Sequence, residues 1–228
     1  MRSTSCFIRS GLYLKIVAGL VCLLINMAAH AQNNGLTIVL LNKNPNAASM
    51  SKEETDKLME GHMANINRLA KENKLLAAGP FDGGGGIFIL NTPSVSTATE
   101  WLGTDPGVQA QRWEIEIYPY TPRKGSVCLV HEPYEMVSYS FVRYKVDITK
   151  STVNSAKIFF SHEEYVKGLS AKLPIIAEGV FGDRDGGMLV LAQEPSLATL
   201  EADPGVQQGL LELDVRKLWI AKGAFCEK

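Results

Sequence analysis

One pattern occurs twice in this chain, about one hundred residues apart, and any fold must accommodate both occurrences. The first runs from His62 through Gly79 to Asp105-Pro106-Gly107-Val108-Gln109. The second runs from His162 through Gly179 to Asp203-Pro204-Gly205-Val206-Gln207. The His-to-Gly spacing is the same in both, and Ala77-Ala78-Gly79-Pro80-Phe81 answers Ala177-Glu178-Gly179-Val180-Phe181. Such an offset is too long for a solenoid, whose repeats span roughly 20–50 residues, and points to a duplicated domain. Even the endings agree, with Lys124-Gly125-Ser126-Val127-Cys128 against Lys222-Gly223-Ala224-Phe225-Cys226.

Each occurrence has the same predicted elements. Residues 36–41 are β-branched and apolar, as in a strand buried on both faces. Ser51 with Glu54 has the capping-box form and opens a helix to about Asn73, with Leu58, His62, Ile66 and Leu69 on its apolar face. Strands follow at Leu75–Phe81 and Gly86–Leu90, joined by the Gly83–Gly86 run. Ser94 caps a second helix, and Arg112–Tyr120 alternates as a last strand with Trp113, Ile115 and Ile117 on one face. The second half repeats this with a strand at Val137–Val146 and a helix carrying Ile158, His162, Val166 and Leu169. Pro174–Phe181, Gly187–Leu191, Ser196–Ala202 and Leu210–Ile220 supply the rest. Ser161 and Glu164 also fit a capping box, which would put His162 at a helix start, but Ile158 keeps the stripe in register and favours a continuous helix. The order β-α-β-β-α-β is the ferredoxin-like plan, so the fold class is α+β.

Residues 1–31 stand apart. Arg2, Arg9 and Lys15 precede the apolar run Ile16–Met27, and Ala29-His30-Ala31 ends it, the order of a cleaved secretory signal peptide. The run is too short to span a bilayer comfortably, so no membrane span is expected after cleavage. The organisation expected is a signal peptide at 1–31, a module at 32–122, a linker at 123–136 and a module at 137–228. Losing three basic leader residues from 23 leaves 20 Lys+Arg against 24 Asp+Glu. A mildly acidic chain argues against a nucleic-acid partner held by phosphate neutralisation. Only Cys128 and Cys226 remain after the leader, in an oxidising compartment.

The helical His, the Ala-x-Gly before a strand and hairpin, and the Asp-Pro before the last strand resemble the YCII-related (YciI-like) domain family. The resemblance covers residues 36–122 and, more loosely, 137–221. It implies a dimeric α/β-barrel type of ferredoxin-like fold, here an intramolecular pseudo-dimer with both halves in one chain. It also implies a site at the helical His and the Asp of Asp-Pro, hence His62 with Asp105 and His162 with Asp203. The frequent aromatic after Asp-Pro in that family is Gly107 or Gly205 here. Under the two-fold arrangement Cys128 and Cys226 occupy equivalent positions and are candidates for a disulfide.

The candidate residues carry two readings each. A His facing a sheet, fixed by a carboxylate on one ring nitrogen, can exchange a proton with a small ligand through the other. The same His can equally be a core residue satisfied by one hydrogen bond. Asp105 and Asp203, each before a Pro, are also good helix N-caps without any chemistry. The Gly83–Gly86 run joins two strands, which excludes a phosphate loop. His131, followed by Glu132, reads as a solvated linker His. No cofactor or metal motif is present, so neither is expected. The function classes left are a cofactor-free lyase, isomerase or hydrolase acting on a small polar molecule, a non-catalytic small-molecule binding module, and a structural or interaction protein.

Overall fold

Among the described residues eight strands form one antiparallel sheet. The computed structural model of the protein describes residues 35–182 and 186–226, and the expected leader lies outside them. Strand β1 (Leu36–Lys43) has its first six residues buried, as a β-branched apolar run requires. Helix α1 (Lys52–Lys71) starts at Ser51, whose hydroxyl accepts from the Glu54 N–H while the Glu54 carboxylate accepts from the Ser51 N–H. Strands β2 (Leu75–Pro80) and β3 (Gly86–Leu90) form the next hairpin. Its turn takes positive φ at Gly83, Gly84 and Gly85, and a Cβ at Gly85 would meet the Leu41 carbonyl oxygen at 2.0 Å. Helices α2 (Val95–Leu102) and α3 (Pro106–Gln109) precede β4 (Trp113–Lys124).

The second half follows the same path. Strand β5 (Ser126–Val127) and β6 (Met136–Val146) lead to helix α4 (Ser155–Leu169). Strands β7 (Ile175–Phe181) and β8 (Gly187–Leu191) follow, then α5 (Leu197–Glu201), α6 (Pro204–Gln207), β9 (Leu211–Ala221) and β10 (Phe225–Cys226). The sheet order is β2-β3-β1-β4-β7-β8-β6-β9. Counting each half's own strands from one, both halves read 2-3-1-4, the ferredoxin-like order. The halves join where β4 pairs with β7, with Tyr120 opposite Phe181. At the other end β2 reaches β9 through a bridge between Phe81 and Leu218. Among the described residues no helix is long and apolar enough to cross a membrane.

Period-two alternation divides the core. Trp113, Ile115 and Ile117 of β4 join Val39, Leu41, Leu69 and Phe88 beneath α1 and α2. Val142, Tyr144, Leu189 and Leu191 do the same beneath α4. The opposite face holds a third cluster that includes Ile38, Leu40, Phe81, Phe141, Phe181 and Leu218. On that face Arg143 of β6, 2% exposed, forks onto Glu116 of β4 at 2.9 and 2.6 Å and donates to the Tyr118 hydroxyl. The Arg143 guanidinium, acting against burial and helped by Tyr118 and Asn42, holds the Glu116 carboxyl down at about 2.

One sequence expectation changes here. The stretch 123–136 is expected as a plain linker, yet β4 continues to Lys124, and Ser126–Val127 pairs with Phe225–Cys226 as a two-stranded ribbon. Its β-forming residues find partners only in the chain's last segment, so local composition hides them. His131 is exposed, and α4 is continuous, with Ser161 bonding back to the Lys157 carbonyl. The turn residues 183–185 lie outside the described residues.

At the ribbon, Cys128 and Cys226 form a disulfide with a Cα separation of 6.0 Å and a sequence separation of 98. Closing a loop of that size constrains the unfolded chain by roughly 4–5 kcal/mol in the chain-entropy model. Reduction, or a Cys128→Ser/Cys226→Ser double variant, is expected to lower Tm by on the order of 10 °C, read by calorimetry with and without reductant. An unchanged Tm would show that the bridge leaves the unfolded ensemble untouched. The Glu116 carboxyl is depressed in the folded protein, so its contribution is complete above its ordinary value of 4.5 and is lost as pH falls towards about 2. Glu116→Gln is expected to lose stability at neutral pH and to show a flatter stability curve between those two values in denaturant titrations.

Candidate functional site

Each half builds a pair from a helical imidazole and a capping carboxylate. In the first, α1 turns His62 onto the sheet, where the side chain keeps 9% exposure. Its ring stacks on Phe88 at 5.8 Å and lies tilted against Trp113 at 4.7 Å. Asp105 is fully buried and caps α3, its Oδ1 accepting from the Gly107 and Val108 N–H groups. Its Oδ2 lies 2.8 Å from His62 Nδ1 and accepts from Asn65 Nδ2 at 3.1 Å. A carboxylate only accepts, so a ring proton sits on Nδ1, and in the neutral ring Nε2 is the nitrogen with the lone pair.

The second pair repeats the geometry. His162 Nδ1 lies 2.7 Å from Asp203 Oδ2, and Asp203 Oδ1 accepts from the Gly205 N–H at 2.7 Å. Asp203 is fully buried and the His162 side chain keeps 7% exposure. Tyr144 meets the His162 ring edge-on at 4.7 Å. Asp203 thus holds fewer donors than Asp105 does.

The electrostatics follow from these contacts. Burial works to raise the Asp105 carboxyl, but the His62 hydrogen bond and charge, Asn65 and the Val108 N–H outweigh it and hold it below its usual range. Burial, reinforced by the Asp203 and Tyr165 charges, pushes the Tyr144 hydroxyl well above its ordinary value, so it stays protonated. Among the described residues the Tyr144 hydroxyl has no hydrogen-bond partner.

The four residues singled out from the sequence come together as two pairs, and each Asp both bonds its His and caps a short helix. The glycine after Asp-Pro also has a local reason. A Cβ at Gly107 would lie 2.3 Å from the Trp113 ring, and one at Gly205 would lie 2.5 Å from Leu211. Sequence reasoning missed Asn65, although three residues after His62 on a helix is the same face. It also missed Tyr144, which strand alternation places beside Val142 under α4, and Arg123 and Glu178, which lie in different elements. No group of three or more His, Cys, Asp or Glu positioned to hold a metal occurs among the described residues.

Asp105→Ala removes the cap, worth about 1 kcal/mol, and also strands His62 Nδ1 and Asn65 in a buried site. The expected loss is therefore about 2–4 kcal/mol in denaturant unfolding, together with a changed ring tautomer of His62 read from its nitrogen NMR signals. A loss near 1 kcal/mol with those signals unmoved would leave Asp105 a cap and nothing more.

Comparison with known proteins places residues 36–123 in the pattern of the YCII-related domain. No curated protein matches the chain. Solved structures similar to it include chlorite dismutase from Candidatus Nitrospira defluvii, at 8% identity, covering 84% of this chain and 92% of that one with a TM-score of 0.49. A candidate monooxygenase from Lactobacillus acidophilus NCFM shares 11% identity, covering 85% of this chain and 98% of that one with a TM-score of 0.42.

Proposed function

From the premise that this chain carries a YCII-related domain at residues 36–123, we propose an exported, tandem YCII-like protein whose halves form an intramolecular pseudo-dimeric α/β barrel. Its function is that of a cofactor-free lyase, isomerase or hydrolase acting on a small polar molecule. His62 and His162 are the acid-base residues, and Asp105 and Asp203 fix their tautomer and orientation. Modules at 32–122 and 137–228 joined through 123–136 are part of the proposal. The repeated 2-3-1-4 strand order supports it, as do the two junctions, where Phe81 meets Leu218 and Phe181 meets Tyr120. Self-complementary contact of this kind is what a two-fold arrangement produces. The disulfide supports export, because such bonds persist in oxidising compartments.

The observation that carries the chemistry is the Nδ1–carboxylate bond, made at 2.8 Å in one half and 2.7 Å in the other. It leaves each Nε2 free to take a proton from a bound molecule and return it elsewhere. The second reading is ligand binding without chemistry, favoured by the complete saturation of Asp105 as a helix cap.

A thermal-shift screen of the chain from residue 32 against small acids and lactones separates the readings, since a ligand that binds only the folded state raises Tm. Molecules that bind are then assayed for turnover. His62→Gln with His162→Gln is expected to cut turnover by about 10²–10⁴-fold while the fold persists. Undiminished turnover in that double variant removes the His pairs from the mechanism, and binding without turnover selects the second reading.

A further inference from the structure

The two His–Asp pairs are not equivalent, and the differences lie in what surrounds them. His62 is walled by Phe88 and Trp113, and its Asp105 already holds four donor groups. Where the second half has Glu178 before Gly179, the first has Ala78 before Gly79. Where Tyr144 stands opposite Gly187 in the sheet, Leu41 stands opposite Gly86.

Around His162 there is instead a small recess of about 10 Å³, lined by Tyr144, Val166, Glu178, Gly179 and Met188 among others. That is room for about one water. Tyr144 is 1% exposed there, with its hydroxyl unpartnered among the described residues. A buried hydroxyl left unsatisfied in a native fold calls for a partner the protein itself does not supply. Beside the recess lies a groove of about 370 Å³ between α4 and the β4 and β7 strands. Recess and groove share Arg123, Val166 and Glu178, which form the wall between them.

Arg123 is the movable part of that wall. Its Nε and Nη2 both reach Glu178 Oε1, at 2.8 and 2.6 Å, and the Glu178 side chain is only 11% exposed. Its Nη1 reaches across to Glu163, the residue after His162, at 3.2 Å, and that side chain is 51% exposed. A half-solvated ion pair of this kind contributes little, so its exposed arm exchanges partners at small cost. Lys124 also lines the groove, without an ion-pair partner among the described residues.

We propose that the second pair alone is the ligand site, and that Arg123 is both its gate and its anchor for a small carboxylate. The ligand carboxylate replaces Glu163 on Nη1, drawing Arg123 aside, and the rest of the molecule reaches His162 Nε2 and the Tyr144 hydroxyl. Guanidinium suits this role because its planar fork matches a carboxylate while its other edge stays on Glu178. The first pair is then a structural homologue of the site. This inference rests on the proposed role of the His–Asp pairs and narrows it to one pair and one ligand class.

Diethyl pyrocarbonate, which acylates an unprotonated imidazole nitrogen, reads access to each Nε2 directly when modification of His62 and His162 is followed by peptide mass spectrometry. His162 is expected to react at least several-fold faster than His62. Arg123→Ala and the milder Glu163→Gln should each accelerate labelling of His162 and leave His62, the internal control for folding, unchanged. Acetate, pyruvate and benzoate should slow labelling of His162, and the matching amides should not. Equal rates at the two His residues, or a His162 rate indifferent to both variants, overturn the gate. Protection by none of the carboxylates, or equally by the amides, overturns the ligand class. Loss of turnover chemistry with this labelling pattern intact counts against the acid-base reading alone.

Discussion

The buried carboxylate that accepts from an imidazole and caps a helix in the same position is the interaction on which the candidate site depends. Asp105 and Asp203 are both fully buried, a placement that is costly unless every lone pair facing a donor is used. The backbone N–H groups at the start of α3 and α6 use one oxygen, and the helical His uses the other. Removing either partner leaves the other exposed to the full cost of desolvation. The short helix and the long helix of each half therefore meet at one residue.

That shared anchor lets the surroundings diverge without disturbing the fold. In the first half, aromatic rings close on His62 and Asn65 completes the shell of Asp105. In the second, a tyrosine hydroxyl and an ion pair stand where the first half has Leu41 and Ala78, and the imidazole looks towards a recess. The two His–Asp pairs thus sit in different surroundings. The Arg143–Glu116 fork, on the other face of the sheet, ties β6 to β4 across strands that are not neighbours. It links the two halves through side chains where the backbone ladder does not.

Much of this was legible in the residues because the signals are local. A capping box announces α1, an apolar β-branched run announces β1, and steps of three and four aim His62 and His162 at the sheet. Asp before Pro announces a cap, and the cap is there in both halves. Asn65 was within reach too, being on the same helical face as His62. The ribbon of Ser126–Val127 with Phe225–Cys226 was not within reach, because a two-residue strand has no periodicity and exists only through its partner. Arg123, Glu163 and Glu178 were invisible for a similar reason: they come from β4, α4 and β7, and nothing in their spacing couples them.

The amino-acid sequence by itself determined the elements, their repeated order and the inward direction of the two His residues. Periodicity and capping are properties of neighbours along the chain, and neighbours are what a sequence contains. Tertiary structure alone decided that each His reaches its Asp, that Cys128 reaches Cys226, and that the two pairs differ in what surrounds them. Those outcomes depend on distances between segments 40 to 100 residues apart, which packing of the helices against a shared sheet sets and no local pattern encodes.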